Sequence, residues 1–414
     1  MRTRLVRGSS AAALFAAVLA VGSCGGGGGR SGGSTIIPAF DLQVGVVAND
    51  LDGDGRPDIA VANTYVAGPP PHPGSVRLYL QERGAPRSFA AAVRYDVGAD
   101  PWGIAAADLS SDGLPDLVVA TPESDRVWLL EQDPTQPGRF TPATDFTTPQ
   151  APYEIAVADL DGDGFNDLAV ALNSLSPGGV AILLQEPGSP GEFASAAHVP
   201  LGAGGISVAA ADLNSDARTD LLLASRSSDP ARAGVFLATQ DPLVAGSFLP
   251  AFRLDAGQRP RHVTAADLDG DGRPDLVVAN AGIDGKGSGM TVLLADPMRA
   301  GQFRPGVFYA MDDVAHMACV ADFNGDGRRD VAVAAAVAGL VNDLESVVQL
   351  FFQDPAQPGR FVRAVRYRTG DQVTYIAAAD LDGDGAVDIV TDEGPKVLYN
   401  DPARPGSLSA ARPL

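Results

Sequence analysis

An acidic nonapeptide recurs seven times along the chain, and no other feature narrows the possible folds as far. It reads DLDGDGRPD from Asp50, DLSSDGLPD from Asp108, DLDGDGFND from Asp159, DLNSDARTD from Asp212, DLDGDGRPD from Asp267, DFNGDGRRD from Asp322 and DLDGDGAVD from Asp380. Successive copies begin 58, 51, 53, 55, 55 and 58 residues apart. A fixed period of this size marks a repeat architecture, in which each unit is one supersecondary element that cannot bury its apolar face alone.

Each unit has the same internal order. A short run rich in Ala and Val enters the nonapeptide, as Ile104-Ala105-Ala106-Ala107 and Ile155-Ala156-Val157-Ala158 do, and a second run leaves it, as in Leu117–Ala120 and Leu276–Ala279. Apolar runs this short, bounded by Asp, Gly and Pro, suit strands rather than helices. After a variable loop comes a third strand (Val76–Leu80, Val127–Leu130, Val180–Leu184, Thr291–Leu294, Val347–Phe352) and then a turn close to Gln-Asp-Pro-x-x-Pro-Gly-x-Phe, seen at Gln132–Phe140 and Gln353–Phe361. The aromatic that ends this turn (Phe89, Phe140, Phe193, Phe248, Phe303, Phe361, with Leu408 in the last unit) is expected to open a fourth strand.

Four antiparallel strands repeated radially make a β-propeller blade. The chain is therefore read as an all-β, seven-bladed propeller with four antiparallel strands per blade. Innermost strands converge on a crowded channel and should carry small side chains, which the Ala-rich runs ahead of the nonapeptides supply. A ring also leaves few sheet edges to cap. With the chain cut short after Leu408, Thr35–Phe40 is expected to complete the last blade or to pair with Ser407–Leu414. The composition agrees: 45% hydrophobic but 6% aromatic, with 48 Gly and 32 Pro, it favours many short strands and tight turns.

Within the first nonapeptide, Asp50, Asp52 and Asp54 place oxygens at positions 1, 3 and 5, Gly55 sits at 6, Arg56 offers a backbone carbonyl from 7, and Asp58 stands at 9. The same positions hold Asp108, Ser110, Asp112 and Asp116; Asp159, Asp161, Asp163 and Asp167; Asp212, Asn214, Asp216 and Asp220; Asp267, Asp269, Asp271 and Asp275; Asp322, Asn324, Asp326 and Asp330; and Asp380, Asp382, Asp384 and Asp388. Alternately spaced hard oxygens with Gly at the sharp turn suit calcium, whereas magnesium prefers smaller octahedral sites and zinc prefers His and Cys. Position 12, a Glu in an EF-hand, is Val61, Val119, Val170, Leu223, Val278, Val333 or Thr391, so the loop belongs to a β-hairpin. One copy alone would pass for an ordinary Asp-Gly turn. Seven copies favour up to seven structural calcium ions, the weakest in the Asp108 loop, with Ser110, and in the Asp212 loop, with Asn214 and Ala217. The nonapeptides hold 25 of the 51 acidic residues, and seven dications would bring the net charge of -21 to about -7. No basic stripe offers itself to nucleic acid.

The nonapeptides, their flanking strands and their spacing resemble the FG-GAP or VCBS-like repeat proteins, which include the propeller of integrin α subunits, over Asp41 to about Leu414. The resemblance implies an ion between the first and second strands of each blade, on the face opposite the one that binds ligand. It also implies a structural role for calcium, with affinities of about 10⁻⁴ to 10⁻³ M for such extracellular modules.

Residues 1–23 have the layout of an export signal: Arg2, Arg4 and Arg7 precede an apolar stretch, Ala11–Val21, too short to span a bilayer. Val21-Gly22-Ser23-Cys24 resembles the bacterial lipoprotein box, which makes Cys24 the expected lipidation site. Gly25–Ser34 is nearly all Gly and Ser, a flexible tether, and residues 35–414 form the propeller. Gly25 after the cysteine resembles lipoproteins sorted to an outer membrane. The membrane is expected to be met only through the lipid. The second cysteine, Cys319, lies in an apolar run and is expected to be a buried, inert thiol.

The opposite face would carry Trp102, Tyr153, Arg261, His262, His316 and Tyr375, all within six residues ahead of a nonapeptide. Aromatic, Arg and His side chains at a channel mouth can stack on sugars or anchor a peptide; the plainer reading is that they cap the channel. The loop Tyr65–Gly74, with its Pro69-Pro70-Pro71-His72-Pro73 run, is a further contact element. For catalysis there are only His72, His198, His262 and His316, with no Gly-x-Ser-x-Gly, no His-Glu-x-x-His and no phosphate-binding Gly-rich loop. The expectation is a monomeric, calcium-stabilised binding or adhesion module at the cell envelope, recognising a glycan, peptide or protein and not an enzyme. The alternatives are a polysaccharide lyase or hydrolase using His262, His316 and Arg261, and a structural envelope protein.

Overall fold

In the second strand of most blades the apolar run is buried on both faces, and the order of the sheets follows from that burial. The computed structural model describes residues 40–414 apart from 67–73, 175–177, 195, 202–203, 228, 230–231, 284–286, 338–344, 371–372 and 393. The export signal, Cys24, the tether and the Pro69–Pro73 run lie outside the described residues. Ala39–Leu414 is one compact unit of seven four-stranded antiparallel sheets, each in simple sequential order. Among the described residues no helix is long and apolar enough to cross a membrane.

Blade 1 comprises Phe40–Asn49, Asp58–Val66, Gly74–Tyr79 and Val93–Val97, and blade 2 Ile104–Ala107, Asp116–Thr121, Arg126–Leu130 and Thr144–Thr147. Blades 3 to 6 repeat the scheme from Pro152, Ser207, Pro260 and Val314, and blade 7 runs from Ile376–Ala379 to Arg412–Pro413. The innermost strands carry small residues and are half-buried along the channel, as Ile104–Ala107 is, while second strands such as Asp116–Thr121 and Asp220–Ser225 are buried throughout.

The core is divided among the gaps between sheets. Seven apolar clusters fill them, and one joins the last blade to the first through Val46, Ile59 and Val61 against Leu381, Val390 and Val397. Side-chain amides at the ends of third strands stitch neighbouring blades. Gln353 Nε2 donates to Leu268 O at 2.6 Å, Asn400 Nδ2 to Phe323 O at 2.7 Å, and Gln81 Nε2 donates across the closing seam to Leu381 O.

Residues 35–39, expected to complete the last blade or to pair with Ser407–Leu414, lie outside the described residues. Phe40 belongs to the innermost strand of blade 1, Phe40–Asn49, and among the described residues the last sheet has its own fourth strand, Arg412–Pro413. Among those residues the seam closes by packing and side-chain hydrogen bonds. One expectation about the strands is corrected: the turn aromatic does not open the fourth strand, except at Phe361. Phe89, Phe140, Phe193, Phe248 and Phe303 each form an isolated bridge to the residue eight positions earlier, and the outer strand starts only after a short break. The turn closes on itself, with Asp133 N donating to Arg139 O at 2.7 Å and Gln136 N to Asp133 O at 2.9 Å, so the aromatic ends a loop.

The Gly of this turn packs over the preceding blade, and a Cβ at Gly138 would stand 3.0 Å from that of Asp52. Blade 1 departs from the pattern. Arg87 takes the Gly position in a left-handed backbone (φ 69°). Its guanidinium reaches Asp382 of blade 7 and lies 4.6 Å from the Tyr399 ring centroid, which adds a charged contact at the seam.

Candidate functional site

Each nonapeptide folds between the first and second strands of its blade around its own first Asp. Asp50 Oδ1 accepts from Asp54 N at 3.0 Å and Oδ2 from Gly55 N at 2.8 Å. The same bond from the position-6 N–H to the first Asp recurs in all seven loops, at 3.0, 3.0, 2.9, 2.9, 2.7 and 2.9 Å for Asp108, Asp159, Asp212, Asp267, Asp322 and Asp380. Position 5 accepts from the position-7 N–H in the same manner, as Asp271 does from Arg273 at 3.0 Å. Side-chain oxygens are thereby turned towards one point while backbone N–H groups hold them from behind.

Four loops gather three carboxylates whose oxygens lie within 4.8 Å of one another: Asp50, Asp52 and Asp58; Asp159, Asp161 and Asp167; Asp267, Asp269 and Asp271; Asp380, Asp382 and Asp388. That spacing can hold a metal ion, since two oxygens at 2.3 to 2.6 Å from a shared calcium are at most about 5 Å apart. Each carboxylate has about four lone-pair sites and gives up to three to the backbone, as Asp267 and Asp380 do, so capacity for an ion remains. The other three loops carry Ser110, Asn214 and Asn324 at position 3 and bring fewer carboxylates together. At position 7, Arg56, Arg218, Arg273 and Arg328 each set a guanidinium against the position-5 Asp.

Position 9 has a second occupation. Asp275 is fully buried; its Oδ2 accepts from Leu268 N at 2.9 Å and its Oδ1 from Ala295 N at 2.7 Å, which ties the loop to the end of the third strand. Asp58, Asp116, Asp167, Asp220, Asp330 and Asp388 make the equivalent pair of bonds.

At the channel mouth, Trp102, Tyr153, Arg261, His262, His316 and Tyr375 all line one cavity of about 40 Å³, together with Glu154, Ile206, Arg226, Met317 and Thr374. Bulges in the innermost strands of blades 3, 5 and 6 aim Tyr153, Glu154, Arg261 and His316 there, while Trp102 and Tyr375 stand just ahead of their strands. The pairing of blade 5 skips Arg261, between Pro260 and His262, and that of blade 6 skips His316, between Ala315 and Met317; blade 3 is irregular across Tyr153 and Glu154. An extra residue in one strand re-aims its side chain. The strands are also close: Gly103 N donates to Tyr153 O at 2.8 Å, and a Cβ on Gly103 would fall 2.4 Å from that oxygen. The Trp102 and Tyr153 rings stack with centroids 4.6 Å apart.

The charges at the mouth are uneven. Desolvation, with Arg226 and Arg259 nearby, draws Arg261 down to about 10, which still leaves it charged at neutral pH. Burial, aided by Arg261 and Arg226, holds His316 well below its usual range, so it is neutral. His262 Nε2 lies 3.5 Å from Glu154 Oε1. Burial raises Tyr153 and Tyr375, which stay phenolic. A larger hollow of about 810 Å³ lies at the outer edge of blades 4 and 5, lined by Leu254, Asp255, Gln258, Arg304 and Phe308 among others, and holds none of these residues. Cys319 is half-buried and unpaired, and burial pushes its thiol up to about 12.

A sequence model of the FG-GAP-like repeat matches residues 50–119, 108–170, 159–223, 220–278 and 315–391. The chain belongs to the FG-GAP-like repeat family. No curated protein sequence matches it. Among solved structures it is similar to a putative 6-phosphogluconolactonase from Bacteroides uniformis (13% identity, 85% of this chain and 94% of that one, TM-score 0.55). It is also similar to a protein from Lactobacillus plantarum (13%, 84% and 93%, 0.53) and to the biofilm matrix protein Bap1 of V. cholerae (14%, 92% and 82%, 0.47). At such identities the first two speak for the fold alone.

Within this FG-GAP-like frame, backbone conformation shows which copies are compromised. Position 6 is left-handed throughout, at φ 88° for Gly55 and 84° for Gly272, and Ala217 is forced to 63° in the fourth repeat. An L-residue there costs about 1 to 2 kcal/mol. Ala217→Gly is expected to stabilise the protein by about 1 kcal/mol, read from the urea midpoint at constant m-value.

The FG-GAP-like loops also set a pH dependence. Burial raises the position-9 carboxyls to about 7 at Asp58 and Asp388 and to about 6 at Asp167, Asp220, Asp275 and Asp330. Between about pH 4 and 7 the unfolded chain releases these protons first, so they favour the native state at low pH and that stability is lost as pH rises through the folded values. In chelator the urea midpoint is expected to fall from about pH 5 to about pH 7.5. Saturating calcium, which favours the ionised carboxylates, should flatten the slope.

Proposed function

We propose that this protein is a calcium-stabilised binding module of the cell envelope, displayed outside the cytoplasm on a lipid-anchored tether and engaging a glycan, peptide or protein at the channel mouth. In this reading calcium supplies fixed positive charge to the loops. Its ligands are the oxygens at positions 1, 3, 5 and 9 and the position-7 carbonyl. The chain's own residues do the rest: the first Asp orders the turn, and the position-9 Asp locks it to the third strand. The partner meets Trp102, Tyr153, Arg261, His262, His316 and Tyr375, and no step of a reaction is assigned to them.

The observation that carries this reading is the gathering of all six of those side chains, from five separate blades, around one cavity, with oxygen-rich loops repeated at the opposite ends of the same innermost strands. With about 40 Å³, against about 300 to 1,000 Å³ for a pocket that encloses a drug-sized ligand, the mouth would take the end of a ligand and not its whole body. The test is an immobilised glycan and peptide screen of the calcium-loaded protein. A ligand retained by wild type and lost with Trp102→Ala and Tyr375→Phe supports the reading. A ligand retained equally by both variants places binding elsewhere.

A further inference from the structure

Many arginines of this acidic protein pair with a carboxylate, as Arg273 does with Asp271 and Arg366 with Asp313 at 2.8 Å. At the mouth two that share one cavity do not. Among the described residues neither Arg226 nor Arg261 has an ion-pair partner, although both line the same cavity. Arg261 Nε and His316 Nδ1 are shut off from solvent with nothing to bond to. The one carboxylate on the wall, Glu154, faces His262.

We propose that the channel mouth is a receptor for a single carboxylate group, held between the guanidinium groups of Arg226 and Arg261. This names the ligand chemistry of the binding face proposed above and rests on that reading. On the cavity wall two guanidiniums stand against the single carboxylate of Glu154, a surplus of positive charge that suits one carboxylate. The planar fork of a guanidinium matches two carboxylate oxygens. A space of about 40 Å³ admits a head group of a few atoms, while the body of the ligand stays outside against the stacked Trp102 and Tyr153. Such a carboxylate belongs to an acidic sugar or to a peptide C-terminus, and both present it at the end of a larger body.

The test is calorimetric titration of the full calcium-loaded protein with D-glucuronate against D-glucuronamide, N-acetyl-alanyl-alanine against its amide, and inorganic phosphate. At least one acid is expected to bind about tenfold or more tightly than its amide, and to lose about tenfold in Arg261→Met and in Arg226→Met. Preference for glucuronate identifies an acidic sugar as the source, and preference for the peptide a C-terminus. The inference is overturned if neither acid binds at tens of millimolar, if acid and amide bind alike, if phosphate binds more tightly than both acids, or if both Met variants bind as wild type does. The acid-amide comparison needs no variant, so a misfolded mutant leaves the result standing. Calcium still raising the melting temperature of a protein that ignores both acids would sink this inference and leave the calcium reading intact.

Discussion

Chelating calcium is expected to lower the melting temperature by about 7 to 14 °C relative to 10 mM calcium, the range set by site affinities and chain length. An ion bound at about 10⁻⁴ to 10⁻³ M contributes about 1.4 to 2.7 kcal/mol at that concentration. Four loops gather three carboxylates each, so the sum is about 6 to 11 kcal/mol. A folded unit spanning Ala39–Leu414 loses about 0.8 kcal/mol of stability per kelvin near its midpoint. Scanning calorimetry with calcium, magnesium or chelator checks this. Magnesium in place of calcium should recover little of the shift, because it dehydrates reluctantly and demands a smaller octahedron.

Asp275→Ala is expected to lower stability by about 2 to 6 kcal/mol already in chelator, because two buried N–H groups, of Leu268 and Ala295, lose their acceptor at about 1 to 3 kcal/mol each, and by more in calcium, where its carboxylate is also a proposed ligand. Asp269→Ala behaves differently. Its carboxylate belongs to the cluster of Asp267, Asp269 and Asp271 and stands at position 3, out on the loop. In chelator it should change stability by no more than about 0.5 kcal/mol, and in 10 mM calcium by about 1.4 to 2.7 kcal/mol, the contribution of one ion. Urea titrations of both variants in both buffers separate the loop's hydrogen-bonded framework from its metal.

Much of this architecture is legible in the sequence because the repeat is imposed by physics that acts identically in every unit. Each first strand lines the same channel and each loop needs the same left-handed turns, so the Ala runs and Asp-Gly pairs recur. The six mouth residues share that regularity, since each sits just ahead of a nonapeptide. Arg226 and Glu154 do not announce themselves. Arg226 follows the second strand of blade 4, where other blades place unrelated residues, and Glu154 is aimed by a bulge that leaves no periodic trace. The last outer strand is hard to read for a related reason: it is only Arg412–Pro413, too short for alternation to be seen. The turn aromatics misled because bridging and strand formation draw on the same apolar residue types, and only the backbone bonds of the Asp133–Arg139 loop distinguish them.

Equilibrium dialysis of radioactive calcium against the full chain tests the metal reading most directly. At least four ions per chain should bind at millimolar free calcium, with the Asp108, Asp212 and Asp322 loops filling last, one ion lost in Asp269→Ala, and no displacement by an equal concentration of magnesium. Binding of less than one ion per chain, or stoichiometry unchanged in Asp269→Ala, would contradict calcium as the occupant of these loops.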